Sequence, residues 1–331
     1  MKRPLKLILL ACFLLSLFSV VAVGYFFYNL FSRPMLPEGA QPAIVTIDKN
    51  TSASTFVHHL KTRHLIPSSR LLLYWIKVKG LAPQLKAGIY EVKPGESISH
   101  FLTKVVSGEV LVQSFSIIEG TTINQVKANL ANAPFLKSGL NDWQGIQANY
   151  LSPEGLLLAD TYQYDAGSEA NNLLKRANQN LLQYLEYCWK TRDPDLPYQS
   201  AYELLIAASI LEKETSIPAE RKLISGVLVN RLKKHMLLQM DPTVIYALGP
   251  SYRGKLSHED LSVDSPYNTY RYHGLPPTPI AMVGKGSLDA AAHPQKTDYL
   301  YFVAKGDGSH QFSVNYEEQK KAISEYQGKG S

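Results

Sequence analysis

The chain has 331 residues, 45% hydrophobic and 19% charged, with a formal net charge of +6 at pH 7. At roughly 150 residues per domain this is about two folded domains, long enough to bury a core without staples. Ordinary proline and glycine usage excludes a collagen-like or disordered chain, two cysteines exclude a disulfide framework or a Cys-rich zinc module, and the spread-out basic charge fits an anionic polymer or a membrane surface better than nucleic-acid reading.

Residues 7–30 carry no charge. As a helix they reach about 36 Å at about 1.5 Å per residue, enough for a bilayer core of about 30 Å. Lys2, Arg3 and Lys6 precede the run, so residues 1–6 read as a cytoplasmic tail and the rest of the chain as exported. A cleaved signal peptide is the alternative, but its apolar core is shorter, normally about 7–15 residues, and no clear cleavage site follows. Cys12 falls inside the anchor, and Cys188, alone in an oxidising space, reads as buried and inert.

Residues 31–43, rich in proline and small residues, read as a linker. A weak repeat follows, in which 47–56 (IDKNTSASTF) matches 92–101 (VKPGESISHF). Ser52 aligns with Ser97, Phe56 with Phe101 and Leu60 with Val105. Each copy predicts a short strand, a polar turn and a helix capped by Ser. Residues 69–77 (SRLLLYWIK) predict a helix between them, which makes 44–112 a small βααβ unit. A third strand–turn–helix signal starts at 117–123 (IIEGTTI) and opens a second domain over 113–331.

Beyond 135 the chain predicts helices over 168–190, 199–215, 219–235 and 286–293, and a buried strand over 299–303. Residues 236–282 read as loop, rich in tyrosine and proline, and the last 20 residues include a helix. The mixture predicts an α+β fold rather than a doubly wound sheet. No phosphate loop, dinucleotide fingerprint or zincin motif is present, so no cofactor is expected. His273, His293 and His310 match no zinc spacing, and Cys188 has no nucleophile signature.

On a helical wheel, Leu204, Ala207, Ala208, Leu211 and Thr215 form one apolar stripe. Glu214 falls on one edge of it, Glu212 flanks the other, and Lys213 faces away. An apolar setting raises a carboxyl pKa, and a carboxyl protonated near neutral pH can act as a general acid. Periodicity does not choose between Glu212 and Glu214. It also leaves open an ordinary exposed Glu-Lys-Glu helix end.

The segment 208–215 (ASILEKET) resembles the catalytic helix of the YceG-like endolytic murein transglycosylases. The resemblance continues through 220–221 (ER), 229–232 (VNRL), 238–246 (LQMDPTVIY), 267–270 (YNTY), 274–277 (GLPP), 290–294 (AAAHP), 299–303 (YLYFV) and His310-x-Phe312. It covers roughly 44–328 and the anchor. It implies that Glu214, the Glu before Thr215, is the catalytic acid and that Glu212 supports it. It implies that 44–112 is a LysM-like glycan-binding domain, and that peptidoglycan glycan strands and peptidoglycan synthases are the partners. The location it implies is the inner membrane, with a single pass.

The reaction it implies is cleavage of the β-1,4 bond between N-acetylmuramic acid and N-acetylglucosamine. Attack by the substrate's own C6 hydroxyl gives a 1,6-anhydro end, with the same Glu taking the hydroxyl proton. An intramolecular nucleophile needs no second carboxylate, whereas hydrolytic glycosidases usually need a pair. Asp241 and Asp160 are the possible second carboxylates of a competing lysozyme-like hydrolase. A tethered glycan-binding scaffold without catalysis is the non-enzyme alternative. Gln239, Asp241, Tyr246, Tyr267, Asn268 and Tyr270 are the expected substrate contacts, by hydrogen bonding to sugar hydroxyls and acetamido groups. Turn formation and core filling are the competing roles for the same residues.

Overall fold

Ser52 and Ser97, the aligned serines of the repeat, both begin helices by accepting a backbone N–H three residues on, from Thr55 and His100. A computed structural model describes residues 3–139, 142–146 and 150–326; Lys2 and the tail beyond 326 lie outside the described residues. The chain divides into two units, 1–113 with 165–167, and 114–164 with 168–331.

The first unit opens with α1 (Arg3–Ser32), which contains one stretch, Leu10–Ser32, long and apolar enough to cross a membrane. β1 (Ala43–Ile47), α2 (Ala53–Thr62), α3 (Ser69–Val78), β2 (Gly88–Val92) and α4 (Ile98–Ser107) follow. β1 and β2 pair antiparallel with Val45 opposite Tyr90. Phe56 and Phe101, the aligned aromatics, meet in the core at 6.5 Å, and Leu60 and Val105 are buried beside them. In the stretch 31–43 two side chains are buried, while residues 32–34, 37–39, 41 and 42 are exposed. Phe31 stacks on Trp75 at 4.7 Å, Met35 is buried, and the Met35 N–H reaches the Glu96 carbonyl.

The second unit is mixed α+β. Its sheets have two strands each: β3 (Val112–Ser116) with β4 (Thr161–Asp165), and β5 (Tyr301–Ala304) antiparallel with β6 (His310–Ser313). The helices are α5 (Ile123–Ala131), α6 (Ala170–Thr191), α7 (Ala201–Glu214), α8 (Pro218–Lys233), α9 (Asp241–Leu248), α10 (Lys285–Ala292) and α11 (Tyr316–Tyr326). α9 lies inside the stretch predicted as loop; eight residues headed by Asp-Pro carry too little periodicity to be read from sequence.

The one-stripe expectation for α7 does not hold. Every residue from Leu204 to Leu211 is buried, because α10 lays its small Ala290, Ala291 and Ala292 against the helix while α6, α8 and α9 cover other sides. α8 is equally enclosed over Ile224–Val229. A Cβ on Gly226 would collide with the Gln295 carbonyl, so glycine lets the backbone that leads to β5 lie directly on α8.

Candidate active site

α7 ends at Glu214 because Thr215 turns to extended backbone, φ −143° and ψ 135°, and its hydroxyl accepts the Ile217 N–H at 3.0 Å. Pro218 then starts α8, where its missing N–H costs nothing. This leaves Glu214 as the last helical residue above a fully buried stretch. It lines a cavity of about 250 Å³ with Arg231 of α8, Gln239 and Asp241 at the entry of α9, Tyr270, and residues of β5, β6 and α11.

Burial pushes the Glu214 carboxyl up to about 8; the negative charge of Asp241 adds to the rise and Arg231 opposes it. The partial negative charge of the helix C-terminus acts in the same direction as Asp241. Glu214 therefore holds its proton at neutral pH, the state a general acid needs.

The other walls are bolted in place. Arg231 is buried and donates to the carbonyls of Leu300, Leu237 and Leu238 and to the Gln239 side-chain oxygen, at 2.6, 3.1, 2.8 and 3.2 Å. Gln239 has φ +50°, a left-handed conformation held by its N–H to the Thr269 carbonyl and by Arg231. Thr243 and Thr269, both buried, join hydroxyls at 2.9 Å, and the Met240 N–H reaches Thr269 Oγ1 at 3.0 Å. That clamp fixes the start of α9 against 268–270, where the Tyr270 phenol donates to Asp241 Oδ1 at 2.5 Å. Burial and the Asp241 carboxylate together push the Tyr270 phenol well above its ordinary range.

The expected contacts thus separate into groups. Glu214, Gln239, Asp241 and Tyr270 share one cavity. Tyr246 lies on another, of about 600 Å³, that also takes in Lys213 and Glu154. Its hydroxyl donates to Glu154 Oε2 at 3.1 Å, its ring lies 4.9 Å from that of Tyr267, and Tyr267 shares a hydrogen bond with Thr278. Asn268 is fully buried, and its amide donates to the carbonyls of Leu261 and Val263, so it shapes the loop from within. The Glu212 side chain is 2% exposed; it pairs with Arg221 at 3.4 Å and accepts the Gly284 N–H at 2.8 Å, a packing position.

Asp160 is exposed, accepts the N–H of its neighbour Thr161, and is not among the residues lining the Glu214 cavity. Cys188 is buried and its thiol is pushed up to about 11 by that burial. His293 faces Asp193 at 3.1 Å, His273 is an exposed loop residue, and His310 bonds Glu220 at 2.7 Å.

Three groups were given no role in the site from sequence. Arg231 falls between the apolar Val227 and Leu228, its i−4 and i−3 neighbours, on one helical face, a signal that periodicity does offer. Glu154, 1% exposed, accepts the Ile123 N–H at 2.8 Å, and burial pushes its carboxyl up. Glu220 and His310 are 90 residues apart and meet only in the folded chain.

Over residues 45–325, which include every one of these side chains, the chain matches the YceG-like family. It belongs to that family. A relative from Bacillus subtilis strain 168 named endolytic murein transglycosylase is 31% identical over 334 residues, spanning 93% of this chain and 91% of the relative. A relative of the same name from Streptococcus pneumoniae strain R6 is 26% identical over 95% of this chain, which spans 64% of that longer protein. The crystal structure of a YceG-like protein from Listeria monocytogenes matches with a TM-score of 0.52 at 31% identity, covering 85% of this chain and 99% of that one. Membership in the YceG-like family thus extends over both units.

Proposed function

We propose that this chain is an endolytic peptidoglycan lytic transglycosylase with Glu214 as its acid. The observation that carries the reading is a carboxyl held at about 8 beside Asp241, Arg231, Gln239 and Tyr270 in one cavity. The names of the Bacillus and Streptococcus relatives support the same activity.

In this reading a muramoyl residue enters the cavity with its glycosidic oxygen against Glu214. The carboxyl gives its proton to that oxygen as positive charge develops on the sugar ring. Asp241 makes the carboxyl readier to stay protonated beforehand, and Arg231 stabilises the carboxylate left behind. The muramoyl C6 hydroxyl closes on C1, so the leaving sugar departs and a 1,6-anhydro end remains, with no water added. Gln239, Asp241 and Tyr270 supply hydrogen bonds to the sugar. Any glycan contact of Tyr246 and Tyr267 is made through the neighbouring cavity, and Glu212 and Asn268 act as scaffold.

The first unit, with its paired strands and its two serine-capped helices, acts in this proposal as the LysM-like glycan-binding domain over 44–112. Residues 7–30 anchor the chain in the inner membrane with residues 1–6 in the cytoplasm. Tethering holds the site at high effective concentration near newly made strands. Peptidoglycan synthases, which make those strands, are the partners that fit.

Mass spectrometry of fragments released from purified peptidoglycan by the full chain in micelles, with Glu214→Gln alongside, tests the proposal. The expected result is anhydro ends from the parent and none from the variant. Reducing ends carrying an added water would replace the proposal with a hydrolase using Asp241. No release from a folded parent that binds glycan would replace it with a scaffold.

A further inference from the structure

The Glu214 cavity, about 250 Å³, is smaller than the usual ligand site of about 300–1,000 Å³, whereas the neighbouring cavity, about 600 Å³, falls within that range. The two cavities meet along the chain at two separate places. Glu214 lines the smaller and Lys213 the larger, and Asp241 lines the smaller while Pro242 lines the larger. Adjacent Cα atoms are about 3.8 Å apart. One residue's width of the α7 end and of the α9 start therefore parts the cavities there, and a substrate held at Glu214 has the larger one within reach of its side branches.

The walls of the larger cavity are mostly aliphatic. Ile123 and Ile280 are 8% and 2% exposed, and Pro242, Ile245 and Pro250 extend that side. Its polar groups are mostly paired. Glu154 Oε1 accepts the Ile123 N–H, Oε2 accepts the Tyr246 hydroxyl, and Lys127 opposes the carboxylate charge. The Gln125 side-chain oxygen accepts the Thr122 N–H at 2.8 Å. Lys213 differs. It is exposed, and its ammonium gives one N–H to the Gly120 carbonyl at 3.1 Å, which leaves it donors for a ligand.

A sugar ring suits this lining poorly. It carries hydroxyls all round, and holding it takes free donors and acceptors or an open aromatic face. The Tyr246 ring lies 4.9 Å from that of Tyr267, and its hydroxyl is already on Glu154. Aliphatic walls beside a cation match a short chain that ends in a carboxylate. The proposed substrate carries such a chain. A muramoyl residue bears a lactyl ether on C3, and in peptidoglycan the lactyl carboxyl is joined by an amide to the N-terminus of a short peptide. The free end of that peptide is a carboxylate.

We propose that the larger cavity is a peptide subsite. It takes the peptide borne by the muramoyl residue at Glu214, with its aliphatic walls against the peptide side chains and the Lys213 ammonium on a peptide carboxylate. The inference rests on the transglycosylase reading and deepens it, because it makes the chain selective for strands that still carry their peptides. Glu214 and Lys213, adjacent at the end of α7, then act on different parts of one substrate: the first on the glycosidic bond, the second on the branch.

The test compares three synthetic glycan strands of equal length. One bears peptides, one bears the same peptides with every carboxylate capped as a methylamide, and one is stripped of peptide. The full chain in micelles cleaves each, and anhydro ends are counted. For the parent, kcat/KM should be about tenfold higher on the peptide-bearing strand than on the capped one, the low end for a hydrogen bond to a charged group, and lowest on the stripped strand. Lys213→Gln should cleave the peptide-bearing and capped strands alike within twofold, with the loss in KM and kcat within threefold. Lys213→Glu should prefer the capped strand. Lys213 is exposed, so neither variant disturbs the core.

A parent indifferent to the peptide overturns the proposal. So does a preference that survives both variants, because the peptide is then read elsewhere. So does an equal loss on all three strands, which would make Lys213 a tie to the Gly120 carbonyl or a sugar contact. A parent that releases no anhydro ends overturns the transglycosylase reading itself. Fluorescence anisotropy of the three labelled strands binding to the full chain then decides the peptide subsite separately: the same order of affinities upholds it, and equal affinities overturn it.

Discussion

Replacing Glu214 by Gln keeps the shape of the side chain and removes its titration. The carboxyl rises from 4.5 to about 8 on folding, so between those values the folded chain binds a proton that the unfolded chain has released. Stability from this group is complete below pH 4.5 and is lost as pH rises through 8. Each pKa unit is worth about 1.4 kcal/mol, so the parent's deficit is under about 1 kcal/mol at pH 5, about 3 kcal/mol at pH 7, and at most about 5 kcal/mol above pH 8. Glu214→Gln has no such deficit. Its stability advantage over the parent should therefore grow with pH by about 2 kcal/mol between pH 5 and pH 7. Other carboxyls titrate in both proteins and cancel in the difference. Urea unfolding of parent and variant in micelles, followed by the fluorescence of Trp143 and Trp189 in the second unit, reads this directly. A difference that stays constant from pH 5 to pH 8 would refute the reasoning, because Glu214 would then be ionised at neutral pH and unable to act as an acid.

Asp241→Asn removes the negative charge that helps hold the Glu214 proton, so the alkaline limb of the kcat profile should move to lower pH; a profile over pH 5–10 checks the direction. Gly226→Ala places a methyl against the Gln295 carbonyl and should cost about 1–3 kcal/mol as overpacking, visible in urea unfolding. Asn268→Ala leaves the Leu261 and Val263 carbonyls without their donor. It should cost about 1–3 kcal/mol in stability with KM unchanged, whereas a raised KM at unchanged stability would make Asn268 a sugar contact.

What the sequence determined was local. A Ser or Thr before an apolar run sets a helix start wherever it occurs, because its side-chain oxygen needs only the next turn of its own chain. Ser52, Ser97 and Ser200 accordingly cap α2, α4 and α7. Uncharged length set the apolar α1 in the same way, and ordered motifs set the family. Tertiary structure decided everything that depends on a second surface. A wheel assigns one face to α7, but with α10, α6, α8 and α9 around it every residue from Leu204 to Leu211 is buried, and burial together with the Asp241 charge raises the Glu214 carboxyl. Glu212, two residues earlier and as apolar in its local sequence, meets Arg221 and the Gly284 N–H and becomes packing. Asn268 and Tyr270 are two residues apart, yet one is turned into the loop and the other into the cavity. The Glu220–His310 pair spans 90 residues. Desolvation and long-range pairing are sums over neighbours that the chain brings together only by folding, so no pattern along the sequence contains them.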